Sequence, residues 1–462
     1  MPRVCKEGGM RRGWGFWVAV CLGFGCGAVV ESPESTPPLG FHEQELQRGA
    51  PRHARVVEGS VFGRAVAVDR KGNAFASLTY ERAGVNLGGA ILPGGAGLAL
   101  VKYAPDGQHL WSRGFPTYSG VRPSVTAMAV DDAGSLYIAG EHHEPSLSLG
   151  GEPLPPGPFL ARYAPDGTHL WSHSASLPGV TLLPSSALAV DEDRGHLVVA
   201  VNFLDPGRSI GAALVGRVSV KDGGVLSLNP VVRSGSLSVT SLALDSSGNI
   251  SVVGFVEGEV DLGGGPISTA SPRGPFIARF SPEMRHQWSR GLWGAEGLAT
   301  GVAVDSGRIL VVGEFSGGFS FQGQLLRANG KDAFVAAYNS KGGELWAQHF
   351  AESATAVAVD GDNCVVVTGQ YRPGESAGGS TLPFRAGGSP DNHLYVVKLY
   401  EGSGNSEWSR GLYSDGVLRG ETLAVTRSGD VVLLPRVGGM IDVGSGPVTV
   451  PPESALFLRL VR

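Results

Sequence analysis

The chain has 462 residues, of which 42% are hydrophobic, and a formal net charge of −5. Its 71 glycines and 30 prolines make up more than a fifth of the residues, and because both are poor helix formers this composition excludes a helical bundle. The apolar content is too high for a disordered chain, and the small net charge gives no basic surface for nucleic acid. These numbers indicate a globular protein rich in strands and turns.

The N-terminus has the pattern of an export signal. Arg11 and Arg12 precede an apolar run over residues 13–25, and basic residues followed by roughly 7–15 apolar ones are typical of such signals. Met10 lies directly before the two arginines and is an alternative translation start. No later stretch comes near the roughly 18 consecutive apolar residues of a membrane span. We predict that residues 1–28 are a signal peptide and that the protein is exported.

The signal has two candidate ends. Residues 22–26 (LGFGC) resemble a bacterial lipobox, in which the cysteine, here Cys26, is lipidated, although Phe24 is bulkier than the usual residue. The alternative is ordinary cleavage after Ala28. Lipidation predicts a location at the outer membrane or cell surface, with the lipid as the contact to the membrane, and cleavage alone predicts a periplasmic or secreted protein. In both cases residues 29–40, rich in Pro, Ser and Glu, form a short extended tether.

The rest of the chain is a sevenfold repeat. A pentapeptide of alternating small and apolar residues ending in Asp occurs six times, and a seventh copy ends in Thr426. The copies lie 54 to 66 residues apart and cover 65–69, 127–131, 187–191, 241–245, 301–305, 356–360 and 422–426. Regular spacing of this kind predicts seven similar structural units.

Each unit contains four short strand-like segments. In the second unit these are 126–131, 135–140, 159–163 and 169–172, referred to as strands A, B, C and D. Alternation with period two, separated by turns that carry Asp and Gly, is typical of antiparallel hairpins. Four antiparallel strands repeated seven times predict an all-β fold, a seven-bladed β-propeller over residues 41–462.

The ends of the chain indicate how the ring closes. The seventh unit ends with its strand C, over residues 456–460, and therefore lacks a strand D. Residues 46–51 (LQRGAP) resemble residues 111–116 (WSRGFP), which belong to the strand D of the first unit. We expect residues around 43–50 to pair with the last blade and complete it.

Strand D carries a tryptophan in most units. These residues are Trp111, Trp171, Trp288, Trp346 and Trp408, and Leu226 takes the place in the third unit. We predict that these side chains pack between neighbouring blades.

Several motifs in the repeat resemble a known family. They are residues 68–73 (VDRKGN), 244–250 (LDSSGNI), 331–338 (KDAFVAAY) and 341–346 (KGGELW). Together they resemble the seven-bladed propeller repeat family of exported bacterial proteins, often called SBBP repeats, over roughly residues 41–462. The resemblance implies an exported scaffold or recognition module without a catalytic signature, and with Cys26 it suits a cell-envelope lipoprotein.

The recurrent aspartate at the end of strand A invites a calcium interpretation. Calcium needs about six to eight oxygens at one place, however, whereas one carboxylate per blade is spread around a ring. The pattern Asp-x-x-Gly, clearest at 69–72, 131–134 and 245–248, is also typical of a turn whose Asp caps the turn amides. We predict turn caps, with no metal and no cofactor.

The two faces of the predicted disc differ. The uniform A–B and C–D turns lie on one face, and the B–C and D–A connections, which vary between units, lie on the other, where function is often built. Candidate ligand residues of that second face are Trp293, Tyr413, Tyr118, His142, His143 and Tyr371. Among them Trp293 is the best candidate for an exposed platform for a sugar or peptide, although burial under its own loop is the favoured alternative. Neighbouring residues of a strand point to opposite sides, so His142 and His143 are not expected to bind one metal together.

No catalytic motif accompanies the repeat. The sequence has no Gly-x-Ser-x-Gly, no P-loop and no His-Glu-x-x-His. We predict a non-catalytic binding or scaffolding propeller of the bacterial cell envelope, whose partner is a protein, peptide or glycan. The alternatives are a structural adhesion component and an extracytoplasmic enzyme, either a hydrolase, a lyase or a quinone-dependent dehydrogenase. The dehydrogenase would need central calcium ligands and a quinone pocket.

Overall fold

The computed structural model describes residues 49–462, apart from 119–120, 178, 206–209, 269–271, 293, 379, 383–392, 421 and 444–445. The predicted signal, the tether and Cys26 lie outside the described residues. Within them the chain forms strands joined by turns and loops, and none of its segments is a helix suited to spanning a bilayer.

The described strands form seven antiparallel sheets, the blades, and one separate two-stranded hairpin. The first strand, β1 (Pro51–Val57), belongs to the last blade. Blade 1 contains β2 (Val61–Val68), β3 (Ala74–Tyr80), β4 (Ala96–Tyr103) and β5 (His109–Thr117). Blade 2 contains β6 (Ser124–Val130), β7 (Leu136–His142), β8 (Gly157–Tyr163) and β9 (His169–Ser174). Blade 3 contains β10 (Thr181–Asp191), β11 (His196–Asp205), β12 (Ile210–Ser219) and β13 (Val225–Pro230).

The remaining blades follow the same order. Blade 4 contains β14 (Ser234–Leu244), β15 (Ile250–Asp261), the short β16 (Pro266–Ser268), β17 (Gly274–Phe280) and β18 (His286–Gly291). Blade 5 contains β19 (Ala295–Asp305), β20 (Arg308–Phe321), β21 (Gln324–Asn339) and β22 (Glu344–Phe350). Blade 6 contains β23 (Ala356–Val359), β24 (Cys364–Gln370), β25 (Ser376–Ala377), β26 (Ser380–Thr381), β27 (His393–Tyr400) and β28 (Ser406–Tyr413). Blade 7 contains β29 (Val417–Arg419), β30 (Leu423–Val425), β31 (Val431–Leu433), β32 (Arg436–Asp442) and β33 (Pro447–Leu460), completed by β1.

Burial changes across each blade from the axis to the rim. The innermost strand A is half-buried because it lines the central channel, as the four residues of β23 show. The middle strands are buried on both sides between neighbouring blades, so β3 and β17 are buried along their whole length. The outer strand D alternates between half-buried and exposed residues in β9. The predicted all-β, seven-bladed propeller is confirmed.

An N-terminal strand closes the ring, as predicted, but it lies further along the chain than expected. Strand β1 pairs antiparallel with β33, with Ala54 opposite Leu458. The amide of Gly49 donates to the carbonyl of Val461 at 2.9 Å, and the amide of Val461 donates to the carbonyl of Ala50 at 2.7 Å. The closing strand is therefore Pro51–Val57 rather than residues around 43–50, of which only 49 and 50 are described.

The register explains this shift. Trp111 of the first blade lies opposite Lys102, and in the last blade the matching position opposite Arg459 is taken by His53. The likeness of LQRGAP to WSRGFP aligned Leu46 with Trp111, seven residues too early. A histidine replaces the tryptophan in the closing strand, which concealed the true alignment.

Each described tryptophan of strand D binds the next blade. In four of the five, the indole nitrogen donates to a carbonyl of the C–D turn of the following blade, and the ring lies on a glycine of that turn. Trp408 lies on Gly49, which precedes the closing strand, and its indole nitrogen has no hydrogen-bond partner among the described residues. The four indole–carbonyl pairs are Trp111–Pro165 (3.0 Å), Trp171–Val220 (3.0 Å), Trp288–Ser340 (3.0 Å) and Trp346–Glu401 (2.7 Å). The glycines beneath the rings are Gly167, Gly223, Gly342 and Gly404, and all four have positive φ. The predicted packing between blades is confirmed.

The joint between blades 3 and 4 departs from this rule on both sides. The tryptophan position, opposite Arg217 of strand C, is held by Ser227, so the prediction that Leu226 takes this place is wrong by one residue. Leu226 is 53% exposed and matches the exposed Leu110 and Leu170 of blades 1 and 2. The facing turn has Met284 (φ 61°) where the other turns have glycine. A glycine is required where an indole ring lies against the turn, since a β-carbon at Gly342 would lie 2.7 Å from Cδ2 of Trp288. Where the indole is missing, the turn accepts a side chain.

Candidate functional site

The recurrent aspartates cap their turns, as predicted. The Asp69 carboxylate accepts the amides of Lys71 and Asn73 at 2.9 Å, and Asp245 and Asp360 accept the corresponding amides of their own turns. All of these turns lie at the end of strand A, on the face of the disc that also carries the C–D turns. We call this the turn face.

A basic residue on strand C faces the capping position in most blades, and sequence analysis missed it. The ion pairs with the capping aspartate are Lys102–Asp69 (3.6 Å), Arg162–Asp131 (3.5 Å), Arg279–Asp245 and Lys398–Asp360 (2.7 Å). In blade 7, where Thr426 has the capping position, Arg459 pairs with Asp430 four residues later (2.9 Å). The signal was available, because these bases occupy one repeat position in segments such as FLARY and FIARF. Amides and a cation therefore surround these carboxylates, and no group of three His, Cys, Asp or Glu suited to a metal occurs in the described part of the chain.

The expectation that the B–C connections vary on the opposite face is wrong for several blades. In blades 1, 2 and 4 the connection folds back, and its glycines pack on the histidine that begins strand D. These contacts are Gly89 on His109, Gly151 on His169 and Gly264 on His286. In blade 5 the Gln322 amide donates to the Glu344 carboxylate, again at the start of strand D. Strand D starts at the turn face, so these hairpins lie along the outer rim of the disc. There they pack against strand D of their own blade.

The D–A connections remain on the opposite face, which we call the loop face. They range from three residues (58–60) after β1 to nine (414–422) between β28 and β30. The connection between β5 and β6 carries Tyr118, which is 89% exposed, and Val121, which is 45% exposed. This face therefore differs from blade to blade and presents apolar side chains to solvent.

The predicted ligand residues fall into three groups. Tyr118 is exposed, His143 is exposed with its ring nitrogen 3.9 Å from the Glu141 carboxylate, and Tyr413 is half-buried at the end of β28. Trp293 lies outside the described residues. His142 and Tyr371 are fully buried, so their expected exposure on a ligand face is wrong.

Packing explains the two buried residues. The ring of His142 lies 6.1 Å from that of Phe159, and burial lowers the pKa of His142. The ring of Tyr371 lies edge-on to His393 at 5.1 Å, and burial raises the pKa of its hydroxyl. His142 and His143 point to opposite sides of the chain, as predicted for adjacent strand residues.

Hydroxyl groups line part of the central channel at one repeat position, directly before the pentapeptide. Each donates to a carbonyl of the next blade: Thr240 to Ala299 (2.6 Å), Thr300 to Ala354 (2.6 Å) and Thr355 to Gly420 (3.2 Å). The first unit has Arg64 at this position, and the seventh has Glu421, which lies outside the described residues. The sequence at this position is therefore charged in units 7 and 1, whereas units 2 to 6 have Thr or Ser there.

Comparisons with known proteins agree on the fold alone. No family model matches the chain, and no curated protein matches it, so the SBBP resemblance stays a prediction. Among solved structures, BamB from Moraxella catarrhalis is 11% identical, covers 88% of this chain and 100% of its own, and has a TM-score of 0.39. The Dos1 propeller is 8% identical over 88% and 94% of the two chains, with a TM-score of 0.44. The quinohemoprotein alcohol dehydrogenase from Comamonas testosteroni is 8% identical over 88% and 76%, with a TM-score of 0.39.

The strand topology itself makes the chain a seven-bladed β-propeller protein. Similarity at this level carries no function from any of these structures to this chain.

Proposed function

We propose that this protein is a non-catalytic binding or scaffolding propeller that recognises a protein or peptide partner through its loop face. The observation that carries the proposal is the difference between the two faces. The turn face repeats the same capped turns, whereas the loop face has connections of different length and the exposed Tyr118 and Val121. Variable loops on a rigid scaffold are a common way to build a binding site.

Its proposed place is the bacterial cell envelope. The support is the pattern of the sequence, in which a signal-like segment (1–28) and an extended tether (29–40) precede the ring. A lipid on Cys26 would hold the ring near a membrane and leave the loop face free for a partner. The SBBP-like motifs agree with this proposal.

The residues lining the channel also favour binding over catalysis. In β19 and β23, two of the strands that line it, the residues are mainly Ala, Val, Thr and Gly. Propeller glycosidases need paired carboxylates near the axis. Here the recurrent carboxylates lie in turns and are held by amides and cations.

A thermal-shift screen of the protein tests the proposal. The panel contains calcium with a redox quinone, soluble sugars, and peptides from envelope proteins. A ligand at about 100 times its Kd stabilises the fold by about 2.7 kcal/mol, a visible rise in Tm. We expect a rise with a peptide that is lost in Tyr118→Ser and kept in Leu110→Ser, a matched exposed position at the start of β5. A rise with calcium and quinone together would contradict the proposal and favour the dehydrogenase.

A further inference from the structure

A cleft of about 120 Å³ opens on the loop face where blade 7 meets blade 1. Its lining includes Phe62 and Arg64 from β2, Arg419 from β29, Thr422, and Arg436 from β32. The lining thus contains three arginines, which come from three strands, beside a space large enough for a carboxylate or phosphate group.

The repeat shows that this cleft is a local departure from the rule. The position of Arg64 is Thr or Ser in units 2 to 6, where the described hydroxyls join neighbouring blades across the channel. The arginine side chain is much longer than that of Thr or Ser, so its guanidinium lies further from the backbone than a hydroxyl at the same position. Arg64 instead donates from Nε to the hydroxyl of Thr79 at 3.3 Å, within its own blade.

Aromatic and ionic contacts fix the cluster in place. The guanidinium of Arg436 lies 4.8 Å from the centre of the Phe62 ring, and that of Arg122 lies 5.3 Å from the same ring. Arg436 also donates to Glu453 at 3.3 Å, and Arg122 pairs with Glu81. The described residues that line or border the cleft therefore include four arginines, of which Arg436 and Arg122 pair with carboxylates.

Two donors in the cleft wall have no hydrogen-bond partner among the described residues. They are Nε of Arg436 and the hydroxyl of Thr422, both shielded from bulk solvent. Buried polar groups are normally hydrogen-bonded. Two buried donors without a partner, beside three arginines, therefore indicate a ligand that accepts hydrogen bonds. Arginine binds planar carboxylates particularly well, through two parallel hydrogen bonds.

We propose that this cleft binds a carboxylate of an acidic peptide segment of the partner. The proposal rests on the recognition role of the loop face and names the chemistry of its ligand. Arg122 follows Tyr118 and Val121 in the same D–A connection, so an exposed apolar surface borders the cationic cleft. A partner segment with an Asp or Glu next to an apolar residue fits both the cleft and this apolar surface.

Calorimetric titration of the full chain with the peptide acetyl-Glu-Glu-Glu-amide tests this inference. Acetyl-Gln-Gln-Gln-amide and inorganic phosphate are titrated in parallel. We expect the glutamate peptide to bind with a Kd of about 1 mM or tighter, and more weakly as salt rises, because exposed charges are screened. The glutamine peptide should not bind. Equal binding of both peptides, or preferential binding of phosphate, would overturn the proposal.

Point variants of the arginines show where the glutamate peptide binds. Arg64→Gln should weaken the glutamate peptide about tenfold, because a hydrogen bond to a charged group is worth about that much. Arg419→Gln, at an exposed position, gives a second test that does not depend on the packing of β2. Arg290→Gln, whose described hydrogen bond is to the Ser289 carbonyl, is the matched control and should bind normally. Unchanged affinity in both cleft variants would exclude this site. If the rise in Tm with a peptide were still lost in Tyr118→Ser, the proposed function would nevertheless stand.

Discussion

Deletion of Pro51–Val57 is expected to abolish cooperative folding of the whole ring. The strand pairs with β33, in which Ala455, Leu456, Phe457, Leu458 and Leu460 are buried. Removing it opens blade 7 and leaves the joint with blade 1 incomplete. Exposing large apolar side chains costs about 1.5–3 kcal/mol each, and a domain has only about 5–15 kcal/mol in total. Thermal melting followed by β-sheet circular dichroism should therefore show no transition, or one lowered by tens of degrees.

A deletion of equal length upstream is the control for this experiment. Residues 32–38 lie in the predicted tether, and their removal should leave the Tm unchanged. If the chain without Pro51–Val57 melted like the full chain, β1 would not be the strand that holds the ring closed.

The second large effect is expected at the tryptophan joints. Trp288 is 8% exposed, donates its indole hydrogen to the Ser340 carbonyl and lies on Gly342. Trp288→Ala should destabilise the ring by about 3–5 kcal/mol, the usual cost of removing a buried tryptophan. Urea unfolding measures this loss.

The joint between blades 3 and 4 supplies the matched control. Ser227 has the same place in its blade but offers no indole to the next blade, so Ser227→Ala should cost under about 1 kcal/mol. The facing turns should differ in the same way. Gly342 has φ +79° and no room for a β-carbon, so Gly342→Ala should destabilise, whereas Met284 already tolerates a side chain at φ 61°. Equal losses for the Trp288 and Ser227 variants would disprove the joint described here.

Sequence could predict the ring because repetition exposes the fold. Six aspartates at nearly constant spacing mark the same turn, and the caps at Asp69, Asp245 and Asp360 are formed as the spacing indicates. The tryptophans were also predictable, since a large aromatic residue repeated on an outer strand needs a partner in the next blade.

Other features depend on contacts that a linear pattern does not contain. The B–C hairpins look like variable loops until Gly89 and Gly151 are found against His109 and His169 on the rim. His142 was a candidate ligand residue of the loop face, yet it lies in the core next to Phe159. The arginine cleft combines β2 with β29 and β32, elements about 360 residues apart in the chain, and only ring closure brings them together.

Photo-cross-linking from the two faces tests the central claim of a binding loop face most directly. A benzoylphenylalanine is placed at position 118 on the loop face or at Asp106 in a C–D turn of the turn face, in cells that produce the full chain. Both positions are exposed, and they lie in the same blade and the connection that follows it. We predict a discrete cross-linked partner from position 118 and none from position 106. Adducts from position 106 alone, or equally from both, would contradict recognition through the loop face.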